Sequence, residues 1–265
     1  FHRSALLIGL KEEQTTGYNP IKLGVIASTD THVSNPGNVK ESDWAGSVVG
    51  EGTPVERLQK GILTSGIDGN PGGLAGIWAE QNTRDSIFNA LLRKEVFGTS
   101  GPRIRPRFFA GWNINENLCN VNEMISDAYA SGVPMGGDLM PSRSKSFPKF
   151  LMHAAKDPEG LNIESIQLVK GWIDEEGNMN TKVIPVLSEI GGAESLCKVY
   201  TDTEFENSLP SYYYMRVVEP KSPRWHTYDC ERLSEDDRPD VCTNETYPSF
   251  IREMAWTSPI WYRPE

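Results

Sequence analysis

The clearest helical spacing of apolar residues lies in residues 82–94. Asn82 or Thr83 can cap the N-terminal end of this predicted helix. The apolar positions predict one buried stripe, which is formed by Ile87, Phe88, Leu91 and Leu92. Weaker patterns predict two further helices, one over residues 3–14 and one over residues 53–63.

Strand-like patterns dominate the rest of the chain. A near-continuous apolar run over residues 22–28 is typical of a strand that is buried on both faces. After Gly98, clusters of Gly, Pro, Asn or Asp separate most of a set of predicted strands, over residues 103–112, 150–155, 163–172, 182–187, 211–218 and 250–261. The pattern therefore predicts a βα-type first part, residues 1–97, and a β-rich second part, residues 98–265.

Composition narrows the class of protein. The chain has 265 residues, 38% of them hydrophobic, and a formal net charge of −10. No apolar run approaches the length of about 18 residues that a membrane-spanning helix needs. Lys and Arg are scattered in an acidic background, which argues against a nucleic-acid-binding protein. The chain begins at Phe1 rather than Met, and we interpret it as a processed product or as part of a longer protein.

Asp30 and His32 are the most suggestive pair of polar residues, because they follow the apolar run directly. Residues two apart in extended backbone project to the same side, here at the C-terminal edge of a predicted strand. One carboxylate and one imidazole suit Zn, Mn or Fe. The alternative is structural, with Asp30 capping a turn and His32 partly buried.

The four cysteines bear on the compartment of the protein. Cys230 and Cys242 flank a polar segment, and a disulfide between them would stabilise the fold by roughly 3 kcal/mol. Such a bond predicts a periplasmic or secreted protein, whereas two free thiols would also be compatible with a cytoplasmic protein. Cys119 and Cys197 are interpreted as small core residues.

Other features give weaker indications of function. The glycine-rich stretch of residues 66–76 matches no phosphate-binding fingerprint and is predicted to be a structural loop. No Gly-x-Ser-x-Gly sequence occurs, which disfavours a serine hydrolase. The aromatic run of residues 212–214 is best explained by alternating strand faces in a sandwich core.

Several longer segments together resemble one known family. They are NPIKLGVIASTDTH (19–32), GGLAGIWAE (72–80), NTR (82–84), ALLRKE (90–95), TSGPRIR (99–105), GVPMGGD (132–138), QLVKGW (167–172) and EMAWTSPIWY (253–262). These segments resemble the C-terminal part of a large bacterial family, domain of unknown function 3604. That family is similar in turn to the polymerase-and-histidinol-phosphatase (PHP) superfamily of metal-dependent phosphoesterases.

The resemblance implies a fold and an incomplete site. The superfamily fold is a distorted β/α barrel with two or three metal ions, and Asp30 and His32 match its late Asp-x-His ligands. The superfamily's early His-x-His and its middle Glu and His ligands have no match here. The expected class is therefore α/β plus β. Residues 1–97 would be the last part of the barrel, and residues 98–265 a β-sandwich-like region.

The implied activity is hydrolysis of a small anionic ester by a metal-bound hydroxide, most simply a phosphoester. Asp30 and His32 would be metal ligands, and Arg84 would hold the anionic group of the substrate. The missing ligands would come from an upstream segment of the same protein or from another chain. The alternative is a non-catalytic β-rich binding module in which Asp30 and His32 are vestigial.

Overall fold

The structure is a computed structural model that describes residues 2–62, 65–142 and 146–264. Its α-helices are α1 (His2–Thr16), α2 (Pro54–Arg57), α3 (Arg84–Leu92), α4 (Met124–Ser131) and α5 (Trp225–Arg232). Short 3₁₀ turns lie at Glu41–Asp43, Leu118–Asn120, Glu235–Asp237 and Asp240–Cys242.

The strands account for most of the regular structure. They are β1 (Leu74–Ile77), β2 (Val96–Thr99), β3 (Arg105–Gly111), β4 (Val133–Pro134), β5 (Asp138–Leu139), β6 (Lys149–Ala155), β7 (Ile163–Ile173), β8 (Met179–Ala193), β9 (Ser195–Thr201), β10 (Ser211–Pro223), β11 (Phe250–Thr257) and β12 (Ile260–Tyr262). The predicted strands after Gly98 each overlap one or two of these.

In the described residues the strands form two sheets. The larger sheet has the strand order β8-β7-β10-β11-β2-β1. Strand β12 pairs with the part of β10 that lies beyond β11, and β5 pairs with β12. The smaller sheet has the order β4-β3-β6-β9. Pairing is antiparallel except between β12 and β5. The two sheets face each other and form a β-sandwich, which confirms the β-rich, sandwich-like prediction.

The main core lies between the two sheets. Phe108 and Phe150 of the smaller sheet stack with ring centroids 5.8 Å apart, and Tyr213 of the larger sheet lies 4.6 Å from Phe150. The neighbours of Tyr213, Tyr212 and Tyr214, point to the opposite face of the sheet and pack under α1. The prediction that alternating strand faces explain this tyrosine run is therefore confirmed.

Each outer face of the sandwich carries a helix. Leu6, Leu7 and Leu10 of α1 are buried against the larger sheet, as the apolar spacing of residues 3–14 predicted. Helix α4 covers the smaller sheet with Ala128 beside Leu151. These helices complete the burial of strands that present apolar residues on both faces.

The first part of the chain differs from the predicted barrel. The described residues show no closed barrel, and residues 22–28 form no strand but run as irregular backbone. The backbone N–H of Val25 donates to Ser258 Oγ at 2.9 Å, and a Cβ on Gly98 would lie 2.9 Å from Ala27 N. This segment therefore crosses closely over β2. The predicted division between residues 97 and 98 falls within that strand.

The helix predicted over residues 82–94 is present as α3, with Thr83 Oγ1 accepting from Ser86 N. Its predicted stripe is not buried, since Phe88 and Leu92 are 59% and 63% exposed. The helix predicted over residues 53–63 is the single turn α2, which a capping box begins. Position 63 lies outside the described residues.

Candidate functional site

One cavity in the described part of the chain has a volume of about 950 Å³ and is called the Asp30 cavity here. Four stretches of chain line it, within residues 28–32, 47–51, 56–62 and 65–72. Asp30 and His32 are both in its wall. The structure therefore brings the two predicted ligands to one open surface, which both polar and apolar atoms line.

The backbone reaches the cavity by a turn rather than by a strand end. Asp30 has a φ of 51°, in the left-handed region that Asp tolerates better than most residues. Its N–H donates to Ser28 Oγ at 3.4 Å. The N–H of His32 donates to the carbonyl of Ser47 at 2.7 Å, and both side chains remain exposed. The two side chains are thus free for a ligand.

Glu51 holds the wall of the cavity in place. Its buried carboxylate accepts from the N–H groups of Ser47 at 2.6 Å and Val48 at 3.2 Å, and also from the N–H of Gly66. Arg57 Nη1 donates to the Glu51 carbonyl at 3.0 Å. No sequence pattern predicted this role, because one Glu among glycines resembles any loop acid.

The glycine-rich stretch forms part of the same wall. Gly66 and Gly72 have positive φ angles of 60° and 75°. The N–H of Gly72 donates to Asn70 Oδ1 at 2.8 Å, and the N–H of Gly73 to the carbonyl of Ser28 at 2.9 Å. These N–H groups are engaged within the protein, in agreement with the predicted structural loop.

The residues present fit a metal centre only as part of a ligand set. Among the residues that the structure describes, no three His, Cys, Asp or Glu side chains are placed to hold a metal ion together. Asp30 and His32 offer two ligands. The carboxylate of Glu51 is committed to backbone N–H groups, and that of Glu56 accepts from Thr53 N and Oγ1, each at 2.9 Å.

Arg84 and the cysteines lie away from this cavity. Arg84 is exposed at the start of α3 and does not line the cavity wall. Cys230 and Cys242 are joined by a disulfide with a Cα–Cα distance of 5.6 Å. Cys119 and Cys197, interpreted from the sequence as core residues, form a second disulfide. Their 78-residue separation explains why spacing did not reveal the pair.

The fold and the site define a β-sandwich protein with helices on its outer faces and a loop-lined cavity beside the larger sheet. The chain belongs to the family described as Protein of unknown function (DUF3604), whose model matches residues 1–189 and 186–264. Neither the curated proteins nor the solved structures gave a match. Within the described residues, no helix has the length and apolar character needed to cross a bilayer.

Proposed function

We propose that the chain is the C-terminal portion of a metal-dependent hydrolase and that Asp30 and His32 are two of its metal ligands. The observation that carries this proposal is that both side chains are exposed in the wall of one cavity of about 950 Å³. The resemblance of Asp30-Thr31-His32 to the late Asp-x-His ligands of the PHP superfamily supports it. A Zn, Mn or Fe ion bound there would supply Lewis acidity and lower the pKa of a water molecule towards neutrality.

The chain's own residues would shape the site around that ion. Glu51 fixes two loops of the wall through its three backbone N–H bonds, so that Asp30 and His32 face a preformed surface. Lys60 also lines the cavity and provides a positive charge for an anionic ester. Arg84 would contact the substrate only if the proposed upstream segment extends the site as far as α3. The net charge of −10 favours a small ester over a nucleic acid.

The remaining ligands would come from an upstream segment of the same protein or from another chain. An uncovered apolar surface supports this step. Leu23 and Ile26 are 63% and 58% exposed, and Phe88 and Leu92 on α3 are exposed to a similar degree. A Cβ on Gly24 would lie 3.2 Å from Lys94 Cβ, so the backbone at Gly24 passes close to the C-terminal end of α3. Apolar patches of this kind are typical of interfaces.

The predicted β/α barrel would then be completed by the upstream segment. Residues 22–28 have no regular secondary structure and no strand partner among the described residues. Their backbone would become the last barrel strand once neighbouring strands are present. In that arrangement Asp30 and His32 would lie at the C-terminal edge of the strand, where barrel enzymes place their ligands.

Metal analysis of the full-length protein tests this proposal. We expect Asp30→Ala/His32→Ala to lower the bound Zn, Mn or Fe and to abolish hydrolysis of a chromogenic phosphoester. The matched control is His2→Ala/Asp85→Ala, which removes the same two residue types from helices outside the cavity. Metal content that stays the same in the Asp30/His32 variant would rule out the ligand assignment.

A non-catalytic β-rich binding module is the second candidate. It is favoured by the absence, in the described ranges, of a complete group of metal-ligating side chains. This candidate predicts a full-length protein that retains no metal after dialysis and hydrolyses no ester. The hydrolase predicts the opposite result in both measurements.

A further inference from the structure

A second cavity, of about 270 Å³, lies where β10 and β11 diverge from regular pairing, and we call it the Glu219 cavity. The register of the two strands shifts between Val218 and Lys221, so that two residues of β10 lie opposite Glu253 of β11. Such a bulge interrupts the strand pairing and changes the direction in which nearby side chains point. Glu219, the first residue of the bulge, and Glu253 both line the cavity.

Glu219 is buried without a partner. Its side chain belongs to a residue that is 1% exposed, and its Oε1 has no hydrogen-bond partner in the described part of the chain. An unpaired carboxylate in such a position is costly, and buried charges are normally paired or bound to a metal. Glu219 thus lines the cavity with a carboxylate of which one oxygen has no hydrogen bond within the described residues.

The other acids of the cavity are hydrogen-bonded. The Glu253 carboxylate accepts from Ser100 Oγ, and Glu41 Oε2 accepts from Trp225 N at 2.5 Å. Asp157 accepts from the N–H of Arg103 at 2.7 Å. Among these four acids, only Glu219 has a buried carboxylate oxygen without a hydrogen bond within the described residues.

Of the cations near the cavity, Lys156 attracts the Glu219 carboxylate and lowers its pKa slightly, but it forms no ion pair with it. Lys40 Nζ pairs with Glu159 at 2.9 Å, and Lys156 Nζ donates to the carbonyl of Gly160 at 3.3 Å. Burial and then the negative charges of Glu253 and Asp157 raise the pKa of Glu219 to about 8. The clustered acids favour a positively charged ligand, which would displace the proton that this raised pKa leaves on Glu219 at neutral pH.

We propose that the Glu219 cavity binds a hydrated divalent cation of the oxygen-preferring class, Ca²⁺ or Mg²⁺, through the carboxylates of Glu219 and Glu253. Two carboxylates with water in the remaining positions is a normal arrangement for such ions. No larger group of metal-ligating side chains is placed together in residues 2–62, 65–142 and 146–264, which is consistent with a hydrated ion. The cavity has room for the ion and several waters at about 30 Å³ each.

Isothermal titration of the EDTA-treated protein with Ca²⁺ and, separately, Mg²⁺ tests the proposal. We expect saturable binding of one ion, weakened at least about tenfold in Glu219→Gln and in Glu253→Gln. The matched control is Glu164→Gln, which removes a carboxylate from the neighbouring strand β7, where it pairs with Arg252. The control should bind as the parent does. Circular dichroism establishes that each isosteric variant is folded.

Two results would overturn the assignment. One is the absence of saturable binding of either ion at millimolar concentration. The other is unchanged affinity in Glu219→Gln and Glu253→Gln. The site is independent of the proposed hydrolase centre, so Asp30→Ala/His32→Ala should leave this binding unchanged. Loss of Ca²⁺ or Mg²⁺ binding in that variant would place the ion in the Asp30 cavity instead.

Discussion

Arg57 and Asp229 form a buried, two-bonded ion pair, with Nε to Oδ2 at 2.7 Å and Nη2 to Oδ1 at 3.1 Å. The two residues lie 172 positions apart and connect α2 with α5. Arg57 also donates to the carbonyl of Glu51, whose carboxylate holds the wall of the Asp30 cavity. The ion pair therefore connects the candidate site to α5, the helix that follows β10 of the larger sheet.

Replacing Arg57 with Met keeps most of the apolar stem but leaves the Asp229 carboxylate buried without its two-bonded partner. We expect a loss of about 3 kcal/mol in the free energy of unfolding, the lower end for a broken buried pair. The loss is at the lower end because Arg232 Nη1 still donates to Asp229 at 2.8 Å. Urea unfolding followed by tryptophan fluorescence measures it. Lys40→Ala, which breaks the exposed pair with Glu159, should change stability little, and an equal loss in both variants would contradict this view.

The two disulfides should contribute unequally to stability. Cys119–Cys197 spans 78 positions and Cys230–Cys242 spans 12. The chain-entropy model therefore predicts a loss of about 4.5 kcal/mol for Cys119→Ala/Cys197→Ala and about 3 kcal/mol for Cys230→Ala/Cys242→Ala. Urea unfolding without reductant measures both losses, and thiol alkylation with mass analysis verifies that the remaining bond is formed. A larger loss from the shorter loop would show that packing, not loop closure, dominates.

Period-two alternation made the sandwich predictable from the sequence. Tyr213 faces the inter-sheet core while Tyr212 and Tyr214 face α1, because successive residues of a strand point to opposite faces. Contacts across long separations were not predictable in this way. The Cys119–Cys197 bond requires the 3₁₀ turn at Leu118–Asn120 to pack beside β9, and no local pattern encodes that packing.

The apolar run over residues 22–28 shows where local patterns fail. Gly24 and Ala27 approach β2, while Leu23 and Ile26 face outward. A run of apolar residues has the same appearance whether both faces are covered or only one, so its length alone cannot determine burial. The same limit explains why the apolar stripe on α3 was wrongly predicted to be buried. Ala90 is the only buried residue of that helix.

The candidate sites were predictable to different degrees. Asp30 and His32 have a spacing that placed them together, and both line one cavity. Glu51 accepts a hydrogen bond from Gly66, and Glu219 lines a cavity together with Glu253. Neither glutamate has a distinctive sequence context. In a chain with 36 acidic residues, burial rather than spacing identifies the important ones.

The exposed apolar face of α3 should be dispensable for folding of this chain. We expect Phe88→Ser/Leu92→Ser to change the free energy of unfolding by less than about 0.5 kcal/mol, because neither side chain is buried. Leu10→Ala, at a buried position under α1, should cost about 2–5 kcal/mol. Urea unfolding of this chain measures both. In the full-length protein, a loss from the Phe88/Leu92 variant would indicate that the upstream segment covers this face, and an unchanged stability would argue against it.

Glu219 should make stability depend on pH. Its pKa rises from 4.5 to about 8 on folding, because burial and the charges of Glu253 and Asp157 disfavour its ionised form. Between these two values the folded protein holds a proton that the unfolded chain has lost. The free energy of unfolding therefore falls as pH rises from about 4.5 to 8, by at most about 1.4 kcal/mol per pH unit from this group.

Glu219→Gln removes that titration without changing the shape of the side chain. In EDTA, we expect the variant to lose less stability than the parent between pH 5 and pH 8 and to be the more stable of the two at pH 8. Thermal unfolding at a series of pH values measures the difference. Asp157 does not contribute in this window, because the N–H groups of Arg103 and Glu159 outweigh its burial and lower its pKa. Parallel pH profiles for the parent and Glu219→Gln would show that Glu219 is already ionised in the folded protein.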